Sequence, residues 1–184
     1  MVHTIGHSIH SLEVFVEWLV AHGSNHVADV RKMPRSRRHP HFSIERLPRA
    51  LAAAEIGYSH WPELGGLRTG AADSMNAGWR NASFRAFADY MQTEEFSEAI
   101  DRLRVLAGAK QVAIMCAESV PWRCHRSLIC DALVARGVIA EHIINANRRN
   151  PHVLTPFAPV EGTRVTYPAK GHTEETDQQR LFDA

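Results

Sequence analysis

The sequence predicts a three-layer α/β sandwich, Rossmann-like, whose central sheet is mainly parallel and has about five strands. Short apolar runs alternate along the chain with longer segments whose apolar residues recur at helical spacing. No Asn-Gly or similar short hairpin turn separates two of these runs. Each strand is therefore expected to reach the next through a helix, by right-handed crossovers that keep the strands parallel.

The individual elements follow from the same patterns. Strands are predicted at residues 2–7, 27–30, 58–61, 111–116 and 141–145. Helices are predicted at residues 12–20, about 43–55, 84–91, 94–107 and 124–136. Ser11, Ser43 and Thr93 are the expected N-caps, because a side-chain hydroxyl accepts a hydrogen bond from a free amide of the first helical turn.

Length and composition predict one domain. The 184 residues are 45% hydrophobic, which suits a single buried core over residues 1–158, followed by a polar tail over residues 159–184. The 21 Lys and Arg residues against 20 Asp and Glu give a formal charge of +1, so any attraction to nucleic acid must be local. Without a secretory leader or a membrane-length apolar run, we expect a cytoplasmic protein with reduced cysteines and no membrane partner.

Side chains that can carry chemistry follow the ends of several predicted strands. His7 and Ser8 lie at the end of the first strand, Asp29 and Arg31 at the end of the second, and Cys116 and Glu118 at the end of the fourth. The carboxyl ends of parallel strands meet at one edge of a sheet, where ligands bind. We therefore expect one shared pocket, lined by His7, Asp29, Arg31, Cys116, Glu118 and Arg126.

The segment 115–130, MCAESVPWRCHRSLIC, contains all three cysteines. Cys124 stands at the predicted start of a helix, where the helix dipole and the adjacent arginines favour a thiolate. Cys116 lacks the arginine six positions later that a cysteine phosphatase needs, since Trp122 is there, and Cys130 is expected in the core. The candidate catalytic residues are Glu118, Cys124, Asp29 and His7, with Cys124 as nucleophile or electrostatic helper.

The same loop is a candidate anion site. A loop that leads from a parallel strand into a helix presents free amides, and Arg123 and Arg126 add positive charge. The alternative is that Arg126 pairs with an internal acid such as Asp29 or Glu118. The candidate anion-binding residues are Arg31, Arg126, Arg123, Ser8, Gly65 and Gly66.

Two other chemistries stay open for the cysteines. Cys116, Glu118, Cys124 and His125 are residue types that bind zinc or iron, although their spacing contains no close Cys-x-x-Cys pair. A redox pair of Cys116 and Cys124 would require their Cα atoms to come within about 7 Å, and a reducing compartment opposes it.

A basic loop suggests a different partner. Residues 31–41, RKMPRSRRHPH, contain five basic residues, two histidines and no acid. Arg side chains suit phosphates and nucleotides, and an aromatic ring can stack on a base. The candidate nucleic-acid contacts are Arg35, Arg37, Arg38 and Trp79.

Several longer motifs occur together in one order along the chain. They are TIGHS, DVRKMPRSRRHPHF, WPELGGLR, NASFRAFADYM, CAESVPWRCHRSLICDAL and HVLTPFA. In these motifs the chain resembles domain-of-unknown-function family 488 over about residues 3–158. The resemblance implies no particular activity or cofactor, so the chemistry of the site must be inferred from its residues.

Two classes of function therefore remain. The first is an enzyme that acts on a small phosphate-bearing or nucleotide-like anion at the carboxyl ends of the strands. The second is a non-catalytic module that binds a nucleotide or single-stranded nucleic acid with the same arginines. A Cys/His/Glu metal site is a further alternative. Acids, histidine and cysteine gathered at strand ends favour the enzyme, because a module that only holds phosphate does not need them.

Overall fold

The central sheet of this computed structural model, which describes residues 1–35 and 38–169, has six strands within those ranges. They are β1 (Val2–Gly6), β2 (His26–Asp29), β3 (Gly57–His60), β4 (Val112–Cys116), β5 (Ala140–Asn145) and β6 (Arg148–Pro151). In the order β3-β2-β4-β1-β5-β6, the first five strands are parallel, and only β6 is antiparallel to its neighbour. This arrangement confirms the Rossmann-like α/β sandwich.

Five α-helices connect the strands in the described part of the chain. They are α1 (Leu12–Ala21), α2 (Leu47–Ala52), α3 (Ala82–Tyr90), α4 (Glu94–Ala109) and α5 (Arg126–Val134). Ser11 and Thr93 cap α1 and α4, and each side-chain oxygen accepts a backbone amide at 3.3 Å.

Two helix starts differ from the prediction. Ser43 was expected to cap the second helix, but a short 3₁₀ turn, Pro40–Phe42, ends there and α2 begins only at Leu47. Cys124 was expected to open the last helix, but it follows a second 3₁₀ turn, Pro121–Arg123, and α5 begins at Arg126. In both places a proline begins the tighter turn, and the α-helix starts after it.

The sheet separates two apolar clusters. One cluster lies against α1 and α2 and includes Val27 and Met115, whereas the other lies against α3, α4 and α5 and includes Ala28 and Ile114. Side chains alternate between faces along a strand. Asp29 therefore points to the α1–α2 face, and Cys116 points to the face that α5 covers.

The sixth strand was missed by the sequence analysis. The chain reverses after β5 through an Asx turn, in which the Asn145 side chain accepts the amide of Asn147 at 2.9 Å. β6 is polar, at the sheet edge and mostly exposed, so it carries no apolar alternation. Hydrogen bonding to β5, rather than a local pattern, makes it a strand.

The ordered domain extends beyond residue 158. A hairpin of β7 (Val160–Glu161) and β8 (Arg164–Val165) packs on the domain. Behind it, the buried Tyr167 hydroxyl donates to the Asp131 carboxylate at 2.8 Å. Residues 159–169, which were expected in the polar tail, thus contribute Val165 and Tyr167 to the packed domain, and residues 170–184 of the predicted tail lie outside the described residues. No helix within the described ranges is long and apolar enough to span a membrane.

Candidate functional site

A cleft of about 380 Å³ opens at the carboxyl ends of β2 and β4. Its lining combines buried and exposed side chains from four connecting segments. The buried or half-buried members are Arg31, Gly66, Phe84, Cys116, Cys124 and His125. The exposed members are Lys32, Met33, Leu67, Ser83, Ala117, Glu118 and Arg123.

Two thiols and an imidazole meet at the inner end of this cleft. Cys116 is the last residue of β4, and Cys124 lies between the second 3₁₀ turn and α5. Their Sγ atoms and a ring nitrogen of His125 lie within 4.8 Å of one another. His125 Nδ1 lies 3.7 Å from the Cys124 sulfur.

The two thiols differ in their ionisation. The hydrogen bond from Cys116, together with His125 and Arg126, lowers the pKa of Cys124 to about 3, although burial acts in the opposite direction. The same hydrogen bond and burial raise the pKa of Cys116 well above its usual value. Near neutral pH the pair is therefore a Cys124 thiolate that accepts a hydrogen bond from a Cys116 thiol.

Arg126 lies behind the thiolate, in the interior. Its side chain is fully buried, its Nε donates to Cys124 Sγ at 3.3 Å, and its Nη2 donates to the Glu118 carbonyl oxygen. Arg126 does not line the cleft. The guanidinium group thus ties the 117–123 loop to the cysteine, and the partner within Glu118 is the backbone rather than the expected carboxylate.

A second cluster surrounds Arg31. The Asp29 carboxylate accepts Arg31 Nε at 2.8 Å, Arg31 Nη2 at 2.5 Å and the Tyr58 hydroxyl at 2.8 Å. Arg31 Nη1 lies 3.3 Å from His7 Nε2, and the His7 ring stacks on Phe42. Burial, with the positive charge of Arg31, lowers the pKa of His7 to about 4, so the imidazole is neutral.

The expected shared pocket therefore divides between the two faces of the sheet. Arg31, Cys116 and Glu118 line the cleft, whereas His7, Asp29 and Arg126 do not. Asp29 and His7 end their strands with side chains on the α1–α2 face, and only Arg31 reaches from that cluster to the cleft.

Glycines allow the loops around the cleft to pack closely. A Cβ atom on Gly66 would lie 2.6 Å from His125 Nδ1, and one on Gly65 would lie 2.9 Å from the Lys32 backbone. Gly65 itself does not line the cleft. The two glycines thus bring the 62–67 segment against the site, and Gly66 lines the cleft.

Two further residues shape the loop after β4. A Cβ atom on Gly6 would lie 2.0 Å from the Glu118 carbonyl oxygen, so only glycine fits there. Sequence reasoning missed Gly6; its one signal is a glycine that ends a strand. Ser8, at φ 45°, donates its amide to the Ala117 carbonyl at 2.9 Å and lies outside the cleft lining.

The predicted nucleic-acid contacts differ in exposure. Arg35 and Arg38 are exposed, and Arg37 lies outside the described residues. Trp79, the expected stacking residue, packs against Phe84, Phe157 and Tyr167 and anchors its loop to the core.

Trp122, rather than Trp79, is the tryptophan that faces solvent near the cleft. Trp122 is 71% exposed in the 3₁₀ turn beside the cleft.

Comparison with known proteins gives one result. The family model of DUF488, a domain of unknown function, matches residues 11–133, which is more than half of the chain. No curated protein and no solved structure matches the chain. The matched residues include the whole cleft lining and the three cysteines. The resemblance seen in the sequence is confirmed, and the chain belongs to the DUF488 family.

Proposed function

We propose that the protein is an enzyme whose Cys124 thiolate attacks the phosphorus of a small phosphate ester or nucleotide bound in the cleft. An S–P bond forms as the ester P–O bond breaks and the alcohol leaves with a proton, and water then hydrolyses the S–P bond to release phosphate and restore the thiolate. The observation that carries this proposal is the 3.3 Å contact between the buried Arg126 Nε and Cys124 Sγ. A cysteine that only fills space gains nothing from a buried guanidinium group, whereas a nucleophile gains a stable thiolate. Cys130, by contrast, lies in the core, where burial raises the pKa of its thiol.

The charge around the cleft supports an anionic substrate. Lys32 and Arg123 are exposed at its rim, and the buried Arg31 lines it from the side. These cations attract phosphate and carboxylate groups, and Arg offers a fork of donors that matches their oxygens. The compartment proposed from the sequence, the cytoplasm, would keep both thiols reduced.

The candidate acid or base is Glu118. Among the described residues that line the cleft, Glu118 alone carries a carboxylate, and its Oε1 accepts the Val120 amide at 3.0 Å. This bond holds the carboxylate at the cleft rim. Asp29 and His7, the other two candidates, serve in this proposal as positioning residues that hold Arg31.

Protection from alkylation tests the proposal without knowledge of the natural substrate. Iodoacetamide is neutral, so its reaction with Cys124 reports access to the thiolate rather than charge repulsion. We expect inorganic phosphate and nucleoside monophosphates, compared with chloride at equal ionic strength, to slow alkylation of Cys124 several-fold. Lys32→Met and Arg123→Met should weaken this protection, whereas Arg49→Met, an exposed arginine on α2, should not.

Turnover completes the test. Wild-type protein should release product from a chromogenic phosphate ester or a nucleotide within a substrate panel, and Cys124→Ser should lose that turnover. Glu118→Gln, which keeps the shape of the side chain, should keep ligand protection and lose rate. Full alkylation of Cys124 in the presence of every anion would contradict the proposal.

A metal centre is the second candidate function, because Cys116, Cys124 and His125 have the ligand types and separation that zinc accepts. The buried His125 Nε2 also has no hydrogen-bond partner among the described residues. Against this, Arg126 already occupies one side of Cys124 Sγ. One zinc ion per chain in the purified protein, and its loss in both the Cys116→Ala and the His125→Ala variant, would favour the metal centre.

The nucleic-acid module rests on exposed Lys32, Arg35 and Arg38 and on the exposed ring of Trp122. Titration with single-stranded and duplex oligonucleotides at several salt concentrations tests it. Changing Arg35, Arg37 and Arg38 to Ala together should flatten the salt dependence by roughly two to three units of slope. A pure binding module should keep its affinity in Glu118→Gln. No binding at low salt would exclude this function.

A further inference from the structure

We propose that Cys116 and Cys124 are a modification site, at which a hydroperoxide drives formation of a reversible disulfide. The geometry is a pair of cysteine sulfurs within 4.8 Å of each other at the inner end of an open cleft. A redox pair of Cys116 and Cys124 was disfavoured from the sequence, because a reducing compartment opposes a lasting disulfide. That objection does not apply to a disulfide that forms only on exposure to an oxidant and is later reduced.

The backbone already holds the two cysteines close together. Cys116 is paired with Gly6 in the sheet, and its carbonyl accepts the His7 amide at 3.0 Å. Cys124 is held on the other side, because its carbonyl accepts both the amide of Ser127 at 3.0 Å and its hydroxyl at 2.9 Å. Forming a bond of about 2.05 Å then requires the two sulfurs to approach from a separation within 4.8 Å.

The oxidant has a path to the reactive sulfur. Cys124 is 3% exposed, but it lines the cleft beside the more exposed Cys116, and a small hydroperoxide fits within about 380 Å³. Arg126, at 3.3 Å, keeps the attacking sulfur in its anionic form. Cys130 is fully buried in α5 and does not line the cleft, so it takes no part.

The disulfide forms in two steps. The Cys124 thiolate attacks one oxygen of the hydroperoxide, the O–O bond breaks, and the departing alkoxide takes a proton from water and leaves as an alcohol. Cys124 is then a sulfenic acid. The Cys116 sulfur attacks this sulfur, the S–S bond forms, and the hydroxide that leaves combines with the Cys116 proton to give water. The hydroperoxide gains two electrons, and the two thiols lose them.

The disulfide has two consequences for the protein. It removes the thiolate, so a nucleophile at Cys124 is switched off while the bond persists. It also stops oxidation at a reversible stage, because a sulfenic acid without a nearby thiol proceeds to the irreversible sulfinic acid. Exchange with a small thiol or a protein dithiol restores both cysteines.

The arrangement of tryptic sites makes the test direct. Trypsin cuts after Lys110, Arg123, Arg126 and Arg136, so each of the three cysteines falls on its own peptide. The full chain is treated with hydrogen peroxide, labelled with N-ethylmaleimide in denaturant, digested and analysed by mass spectrometry. We expect the 111–123 and 124–126 peptides to be cross-linked, with only the 127–136 peptide labelled. Dithiothreitol before labelling should restore three labelled peptides.

Two variants provide the controls. In Cys116→Ser the cross-link should be lost, and Cys124 should be captured as a sulfenic acid by dimedone. If circular dichroism shows that Cys116→Ser is misfolded, Cys116→Ala is used in its place. A cross-link that includes the 127–136 peptide, dimedone capture of wild-type Cys124 in place of a cross-link, or no oxidation of Cys124 would each overturn the proposal. The test needs no substrate, so it is independent of the proposed enzyme activity.

Discussion

Arg126 Nε lies 3.3 Å from Cys124 Sγ, and both side chains are almost completely removed from solvent. The contact joins the residue before the N-cap of α5 to the first residue of the helix. A buried thiolate needs a cation or strong hydrogen bonds to offset its lost hydration. The arginine therefore stabilises the charged form of the residue that the cleft exposes to ligands.

The reactivity of the three cysteines should differ in the native protein. Cys124 lines the cleft as a thiolate, whereas burial raises the pKa of Cys130, which lies in the core. We expect iodoacetamide at neutral pH to label Cys124 at least ten-fold faster than Cys130, as measured by time-resolved mass spectrometry. Equal protection of both cysteines would place Cys124 in the core and remove it from any mechanism.

Cys116 should control the pH dependence of that labelling. Its hydrogen bond is the largest cause of the lowered pKa of Cys124, about 3. In the wild type the thiolate is already formed at pH 5, so the rate should be nearly flat from pH 5 to 8. In Cys116→Ala the pKa of Cys124 should rise, and the rate should increase with pH across this range. Cys130→Ala is the matched control and should keep the flat profile.

The Arg31 cluster should be a large contributor to stability. Replacing Arg31 with Met leaves the buried Asp29 carboxylate without its ion pair, which typically costs about 3–5 kcal/mol. Tyr58→Phe removes one hydrogen bond to the same carboxylate and should cost about 1 kcal/mol. Urea unfolding of both variants measures the difference. Equal losses would mean that Arg31 does not stabilise Asp29 as the contacts indicate.

Gly6 should resist substitution. A Cβ atom there would overlap the Glu118 carbonyl at 2.0 Å, so Gly6→Ala must displace the loop that carries Glu118 and should cost about 1–3 kcal/mol. Gly70→Ala is the matched control, because its Cβ would meet only Ala86 at 3.4 Å. Thermal unfolding should show a loss for Gly6→Ala and little change for Gly70→Ala. The reverse order would contradict the packing described here.

Acid should destabilise the protein through its buried histidines. Burial lowers the pKa values of His3, His7 and His142 from 6.5 to about 4. Between these values the unfolded chain binds protons that the folded protein does not, so the free energy of unfolding should fall as pH falls from 6.5 to 4. Urea unfolding at intervals in this range measures the slope. His142→Asn should reduce it by about a third, and a flat wild-type profile would refute the prediction.

Local patterns were sufficient for much of the fold. The cap at Thr93 and the apolar period of α4 depend on residues within one or two turns, so the sequence predicted them correctly. Strand β6 was missed, because its polar residues become a strand only when β5 offers hydrogen-bond partners. Tyr167 was assigned to a tail for a similar reason, since its partner Asp131 is far away in the sequence.

The sequence by itself determined that reactive side chains gather at the carboxyl ends of the strands, because strand direction and crossover handedness follow from the alternation of elements. Only the tertiary structure decided which of them meet. Asp29 pairs in the sheet with Met115, the neighbour of Cys116, yet the Asp29 and Cys116 side chains face opposite sides of the sheet. Cys116 and Cys124 meet because the 117–123 loop folds back over Gly6, a path set by packing rather than by any local pattern.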